Sequence, residues 1–119
     1  MSKQKILTNL NLFRGDDDLL INDATIFIDE NIIRYSGPSS GFNSSSNDFE
    51  VFDLEGKTVI PGMTESHAHL SYTNNGPLEL DKTPVEEAVI KTVDNARIML
   101  GSGFTSAISF GSVHRIDVF

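Results

Sequence analysis

Pro61-Gly62-Met63-Thr64-Glu65-Ser66-His67-Ala68-His69-Leu70 places two histidines one residue apart at the end of an apolar run. Such a pair can serve one ligand only on a strand. Side chains alternate faces with period two in a strand, so His67 and His69 project to the same side with Cα atoms roughly 6.6 Å apart. On a helix they would point to nearly opposite sides. A bare His-x-His is a weak motif by itself, and its weight comes from the flanking residues.

Those flanks are informative. Leu54-Glu55-Gly56-Lys57-Thr58-Val59-Ile60-Pro61-Gly62 reads as a turn around Glu55-Gly56, a short apolar strand and a Pro-Gly breaker that redirects the chain. The stretch from Asp53 to Leu70 resembles the start of the barrel in the metal-dependent amidohydrolase superfamily, where a Leu-x-Gly-Lys-x-Val-x-Pro-Gly run leads into Asp-x-His-x-His. The branch it is most similar to contains imidazolonepropionase-like hydrolases and prolidase-like peptidases. Gly101-Ser102-Gly103-Phe104-Thr105 resembles the family's glycine-hydrophobic-threonine lead into the second barrel strand. Glu65 stands where the family usually has aspartate, and Ile108-Ser109 where many members carry arginine-aspartate.

The resemblance implies a fold class of α/β with β: part of a flanking β-sandwich over 1–60, followed over 61–119 by the first strand-helix-strand unit of a TIM barrel. A whole barrel needs about 250 residues. With 119 residues, the chain reads as the N-terminal portion of such an enzyme. The family's remaining ligands, a carboxylated lysine or glutamate, further histidines and an aspartate, come from later strands.

Composition narrows the partners. Nine basic against seventeen acidic residues give a net charge of -8, which repels phosphate backbones and anionic lipid and argues against nucleic-acid or membrane partners. There is no cysteine, hence neither disulfide framework nor thiolate metal site. Met1-Ser2-Lys3-Gln4-Lys5 lacks the apolar core of a secretory signal, and no apolar run approaches the roughly 18 residues of a membrane span. The expected location is cytoplasmic.

Before Pro61, Ile6–Phe13, Ala24–Ile28 and Ile32–Tyr35 read as the strands of a meander. Asp29-Glu30-Asn31 forms the hairpin turn, and Gly15-Asp16-Asp17-Asp18 punctuates the first pair. The serine- and asparagine-rich stretch from Pro38 to Asp48 has too little apolar content to order itself. After Pro61 the punctuation is that of a helix, with Thr83 as N-cap, Pro84 at the first helical position and Glu86 completing a capping box. Val85, Ala88, Val89, Val93, Ala96, Met99 and Leu100 recur at helical spacing as a core stripe, and Gly101 or Gly103 supplies the stop. Phe104–Phe110 is the next strand.

Active sites of TIM barrels lie at the C-terminal strand ends, which is where His67 and His69 fall if the strand begins near Thr58 or Met63. Neutral imidazole ligates Zn²⁺, Ni²⁺ or Fe²⁺. The resemblance implies one or two divalent ions, zinc foremost, a small amide or cyclic-amide substrate, and a homo-oligomer for the complete enzyme. His67 and His69 are the metal candidates, against the plainer reading of two polar residues at a strand end. Glu65 and Tyr72 are candidates for supporting or lining the site, and each also reads as an ordinary solvated or loop residue. His114 reads as a loop residue. Three functions stay open: a hydrolase of amide, cyclic-amide or dipeptide bonds, a heterocyclic-amine deaminase of the same fold, and a non-catalytic product. The 119 residues alone are expected to lack turnover and, with strand edges unpaired, to self-associate.

Overall fold

Apolar alternation makes β1 (Gln4–Phe13) the centre of the first sheet. β2 (Leu20–Asp29) pairs with it antiparallel, and β3 (Ile32–Pro38) extends the meander beyond β2. On its other side β1 pairs parallel with β4 (Phe49–Asp53) and then with β5 (Thr58–Val59). The computed structural model describes residues 4–44, 48–74, 77–80 and 82–116, and the chain forms two units, Met1–Pro61 and Gly62–Phe119.

Strict alternation cannot put the first core on one face, since Leu7 and Leu10 are three apart in sequence, as are Ile21 and Ala24. Two irregularities solve this. The β1–β2 register shifts between Leu7 and Leu10 and again between Leu10 and Leu12, and Asn9 and Asp23 take left-handed backbone with φ of 52° and 50°. Each shift is a bulge that absorbs one extra residue without inverting the face. Leu10, Leu12, Ala24 and Ile26 are therefore buried together, with Leu7, Ile21, Ile28, Leu54 and Val59 packed around them. Phe27 packs against Phe42 and Phe49 in a separate aromatic group, with Tyr35 on Phe42.

The stretch from Pro38 departs from expectation. Ser39–Gly41 forms one 3-10 turn, because Ser39 Oγ lies 2.9 Å from Thr25 Oγ1 and donates to Asp23 Oδ1 at 3.1 Å, while Phe42 supplies an aromatic anchor. Ser45-Ser46-Asn47 lie outside the described residues.

The turn expected at Glu55-Gly56 forms between β4 and β5. The Lys57 N–H donates to Leu54 O at 2.9 Å, and Glu55 and Gly56 both have positive φ, 53° and 78°. Asp53 anchors it: its Oδ1 accepts the Glu55 backbone N–H and the Asn9 side-chain amide, each at 2.8 Å. The Glu55 N–H first, and the Asn9 amide second, hold this carboxyl below its ordinary value of 3.8. A lowered folded pKa contributes stability above the unfolded value and loses it as pH falls through the folded one. Acidification below about pH 4 is thus expected to destabilise the protein, and Asp53→Asn should flatten that slope. Urea midpoints across pH for both proteins check this; parallel curves would refute it.

In the second unit β6 (Met63–Ala68) and β7 (Phe104–Ser109) pair parallel, joined through α1 (Pro77–Leu80) and α2 (Val85–Gly101). Asn75 and Gly76 of the loop after β6, and the chain end from Asp117, lie outside the described residues. The capping expectation is corrected. Pro84 itself is the N-cap, with ψ of 144°, and no side chain caps the helix. The Thr83 hydroxyl instead donates to Glu79 O at 3.3 Å. Gly103, with φ of 94°, stops the helix as a left-handed residue, its N–H donating to Leu100 O.

The core stripe is corrected as well. Ala88 and Thr92 are the buried residues of α2, with Asn95, Ala96 and Met99 half-buried beside them, whereas Val85, Val89, Val93 and Leu100 are exposed, Leu100 at 63%. Helical period identifies an apolar stripe, and only the flank carrying Ala88 is covered, by Leu80 and Val113.

Candidate metal centre

β6 ends at Ala68, so His67 leaves from the strand and His69 from the residue after it. Their rings converge. The two Nε2 atoms are 3.2 Å apart. Each ring is fixed by an aromatic neighbour: His67 stacks on Phe110 with centroids 4.5 Å apart, and His69 on Tyr72 at 4.4 Å and 11°.

Hydrogen bonding sets the tautomer of His69. Its Nδ1 lies 3.0 Å from Gly111 O, and a carbonyl only accepts, so Nδ1 carries a proton, and in the neutral ring Nε2 is then a bare lone pair. Two nitrogens on one tetrahedral Zn²⁺ at about 2.0–2.1 Å would stand roughly 3.4 Å apart. The observed separation fits that spacing, and the Gly111 carbonyl is the kind of outer partner that orients a ligating imidazole.

The pair is the beginning of a ligand set. Among the described residues no group of three or more His, Cys, Asp or Glu side chains comes together to hold an ion. Glu65 folds back on its own strand, where Oε1 accepts the His67 backbone N–H at 3.0 Å. It lines, with His67, His69, Tyr72 and Asn95, an open groove of about 400 Å³. His114 is elsewhere engaged, its Nε2 donating to Thr83 O at 2.8 Å.

No model of a protein family matches the chain. Imidazolonepropionase of Rhizobium rhizogenes is 26% identical over 98 residues, 82% of this chain and 23% of that protein. Enamidase of Eubacterium barkeri is 29% identical over 115 residues, 96% of this chain and 27% of that protein. A solved amidohydrolase structure superposes with a TM-score of 0.79 at 25% identity, covering 91% of this chain and 25% of that one. The chain is thus similar to an imidazolonepropionase, an enamidase and a solved amidohydrolase. It spans about a quarter of the length of these relatives.

The amidohydrolase resemblance was carried by Asp53–Leu70 and Gly101–Thr105, and the structure brings parts of these two stretches into contact. The Met63 N–H donates to Gly103 O at 2.9 Å, and Gly62 lies against Thr105. Sequence reasoning did not single out Phe110, Gly111, Ser71 or Asn95. Phe110 and Gly111 reach the histidines only through the β6–β7 pairing. Asn95 had a visible signal, a poor helix former between apolar helix positions. No helix among the described residues is long and apolar enough to cross a membrane.

Proposed function

We propose that this chain is the metal-bearing N-terminal portion of a cytoplasmic, homo-oligomeric amidohydrolase that cleaves a carbon-nitrogen bond of a small amide, cyclic amide or dipeptide. In this reading residues up to Ile60 belong to a flanking β-sandwich, and those from Pro61 begin a TIM barrel. The observation that carries it is the 3.2 Å approach of the two Nε2 atoms with His69 Nδ1 committed to Gly111 O. The relationship to imidazolonepropionase and enamidase supports the bond type.

One or two divalent ions, zinc in this proposal, would supply an activated water and polarise the scissile carbonyl. His67 and His69 would hold the ion through Nε2. Phe110 and Tyr72 restrict ring rotation, and the Gly111 carbonyl keeps the His69 proton on Nδ1. Glu65 fixes the backbone at His67 through its hydrogen bond to that N–H. Two nitrogens are an incomplete set, so the 119 residues alone should bind zinc weakly and turn over no substrate.

The test is metal analysis of the full-length protein together with assays on N-acyl amino acids, cyclic amides and dipeptides. Expected are one or two zinc-class ions per chain and turnover that chelation abolishes and divalent ions restore. A metal-free protein indifferent to chelators would defeat the proposal, and conversion of a heterocyclic amine to its oxo form with release of ammonia would redirect it to deamination.

A further inference from the structure

We infer that Asn95, in the middle of α2, is a positioning residue for the histidine pair. The inference deepens the metal-centre reading and rests on it for its functional meaning, but its structural content is separate. The Asn95 Nδ2 donates to Leu70 O at 2.7 Å and to Tyr72 O at 2.9 Å. Both partners are carbonyls and can only accept, so the amide nitrogen must face them, and its two hydrogens are both engaged. The helix thereby grips the chain on either side of Ser71, immediately after His69.

Ser71 passes that grip onward. It is 2% exposed, and its Oγ accepts the Val113 N–H at 2.8 Å. This ties the segment after β6 to the segment after β7, which carries Gly111. The Phe110 N–H donates to Ala68 O at 3.1 Å and reinforces the same seam. His69 is thus held by two segments at once: Tyr72 stacks on its ring, and Gly111 O accepts its Nδ1–H. Asn95 joins both carbonyls flanking Ser71 to a rigid element. Without it Leu70 O and Tyr72 O are free to turn, Ser71 loses its placement, and the Gly111 carbonyl is no longer presented to Nδ1.

The chemical consequence is selection of a tautomer. Once the Nδ1–H···O=C bond is lost, the His69 proton redistributes to Nε2, the atom that must be bare to bind an ion. Asn95 therefore acts on ligand competence without touching the ion or the substrate.

The experiment is long-range ¹H–¹⁵N NMR of histidine side chains in the full-length, metal-free protein with the rings neutral, comparing the parent with Asn95→Ala and Asn95→Asp. In the parent, His69 should show a protonated Nδ1 and a bare Nε2. In both variants its two ¹⁵N shifts should move toward each other as the proton spreads over both nitrogens, while the His114 shifts stay in place. Asn95→Asp keeps the size of the side chain but puts a carboxylate against two carbonyls, and it serves if the alanine variant unfolds. A parent without the Nδ1–H form, or a folded variant that retains it unchanged, overturns the inference. Zinc titration of the same proteins should show affinity reduced by about tenfold or more in the variants. A parent that binds no zinc while the tautomer change persists would defeat the metal reading and leave the role of Asn95 standing.

Discussion

Replacing His69 with alanine in the full-length protein is expected to weaken zinc binding by more than the roughly 10–100-fold that loss of an outer-shell partner causes. The substitution removes a donor atom rather than its support. Nε2 of His69 is the lone pair that the Gly111 hydrogen bond leaves bare, and the nitrogen 3.2 Å away on His67 cannot close the set alone. If metal loading and turnover are linked, kcat/KM should fall by about 10³-fold or more, equivalent to about 4 kcal/mol of lost transition-state stabilisation. His67→Ala should behave alike. His114→Ala is the contrast, since that imidazole is occupied by Thr83 O, and zinc affinity there should stay within about twofold. Dialysis equilibria and steady-state assays on the three variants decide the matter. Equal zinc affinity in His69→Ala and the parent would remove the histidine pair from any metal site.

Gly62→Ala is the stability counterpart. A Cβ at Gly62 would fall 2.8 Å from Thr105 Cβ and closer still to both of its outer side-chain atoms. Thr105 is a β-branched residue inside β7, with little freedom to rotate away. Overpacking of this kind costs about 1–3 kcal/mol, and a contact this short belongs at the upper end. The origin can be isolated. Thr105→Ala removes the two nearest atoms, so the double variant should be more stable than the sum of the single changes by about 1 kcal/mol or more. Gly101→Ala meets nothing within 4 Å and should be neutral or stabilising by up to about 1 kcal/mol. Urea denaturation of the parent and the four variants measures all of this. Additive effects at Gly62 and Thr105 would mean that the two residues do not meet.

Much of this architecture can be read without coordinates, and the exceptions have causes. The meander was legible because apolar residues and turn residues alternate over short distances, and the helix stop was legible as Gly101 or Gly103, of which Gly103 takes the positive φ. Phe49-Glu50-Val51-Phe52-Asp53 has strand-forming residues but is fixed as β4 only by parallel pairing with β1, more than 40 residues earlier, which no local pattern announces. β2 begins at Leu20 rather than Ala24 because Leu20 and Ile21 pair with Phe13 and Leu12, and the bulge between Ile21 and Ala24 takes up the polar Asn22 and Asp23. Thr83 had the residue type of a cap but lost its hydroxyl to Glu79 O, a competition that appears only once α1 is in place. At the candidate site, the period-two spacing puts His67, His69 and Glu65 on one strand face, and Tyr72 was a candidate only as a residue of the loop that follows. Asn95 and Gly111 were not candidates, because their contribution is made through contacts with residues distant in sequence, in one case by a backbone carbonyl that has no sequence signature.

The paired irregularities of β1 and β2 also say where this domain can change length. Removing one residue from a regular strand turns every later side chain to the opposite face, so most single-residue deletions here would expel Leu10, Leu12 or Ile26 from the interior. Asn9 and Asp23 are different, being the surplus residues that the register shifts accommodate. Loss of either would straighten its strand and leave the apolar residues facing inward. Asn9 also receives the Gly56 N–H and donates to Asp53, so Asp23 is the less entangled of the two. These positions act as expansion joints, points at which evolution could lengthen or shorten a strand by one residue and keep the same interior.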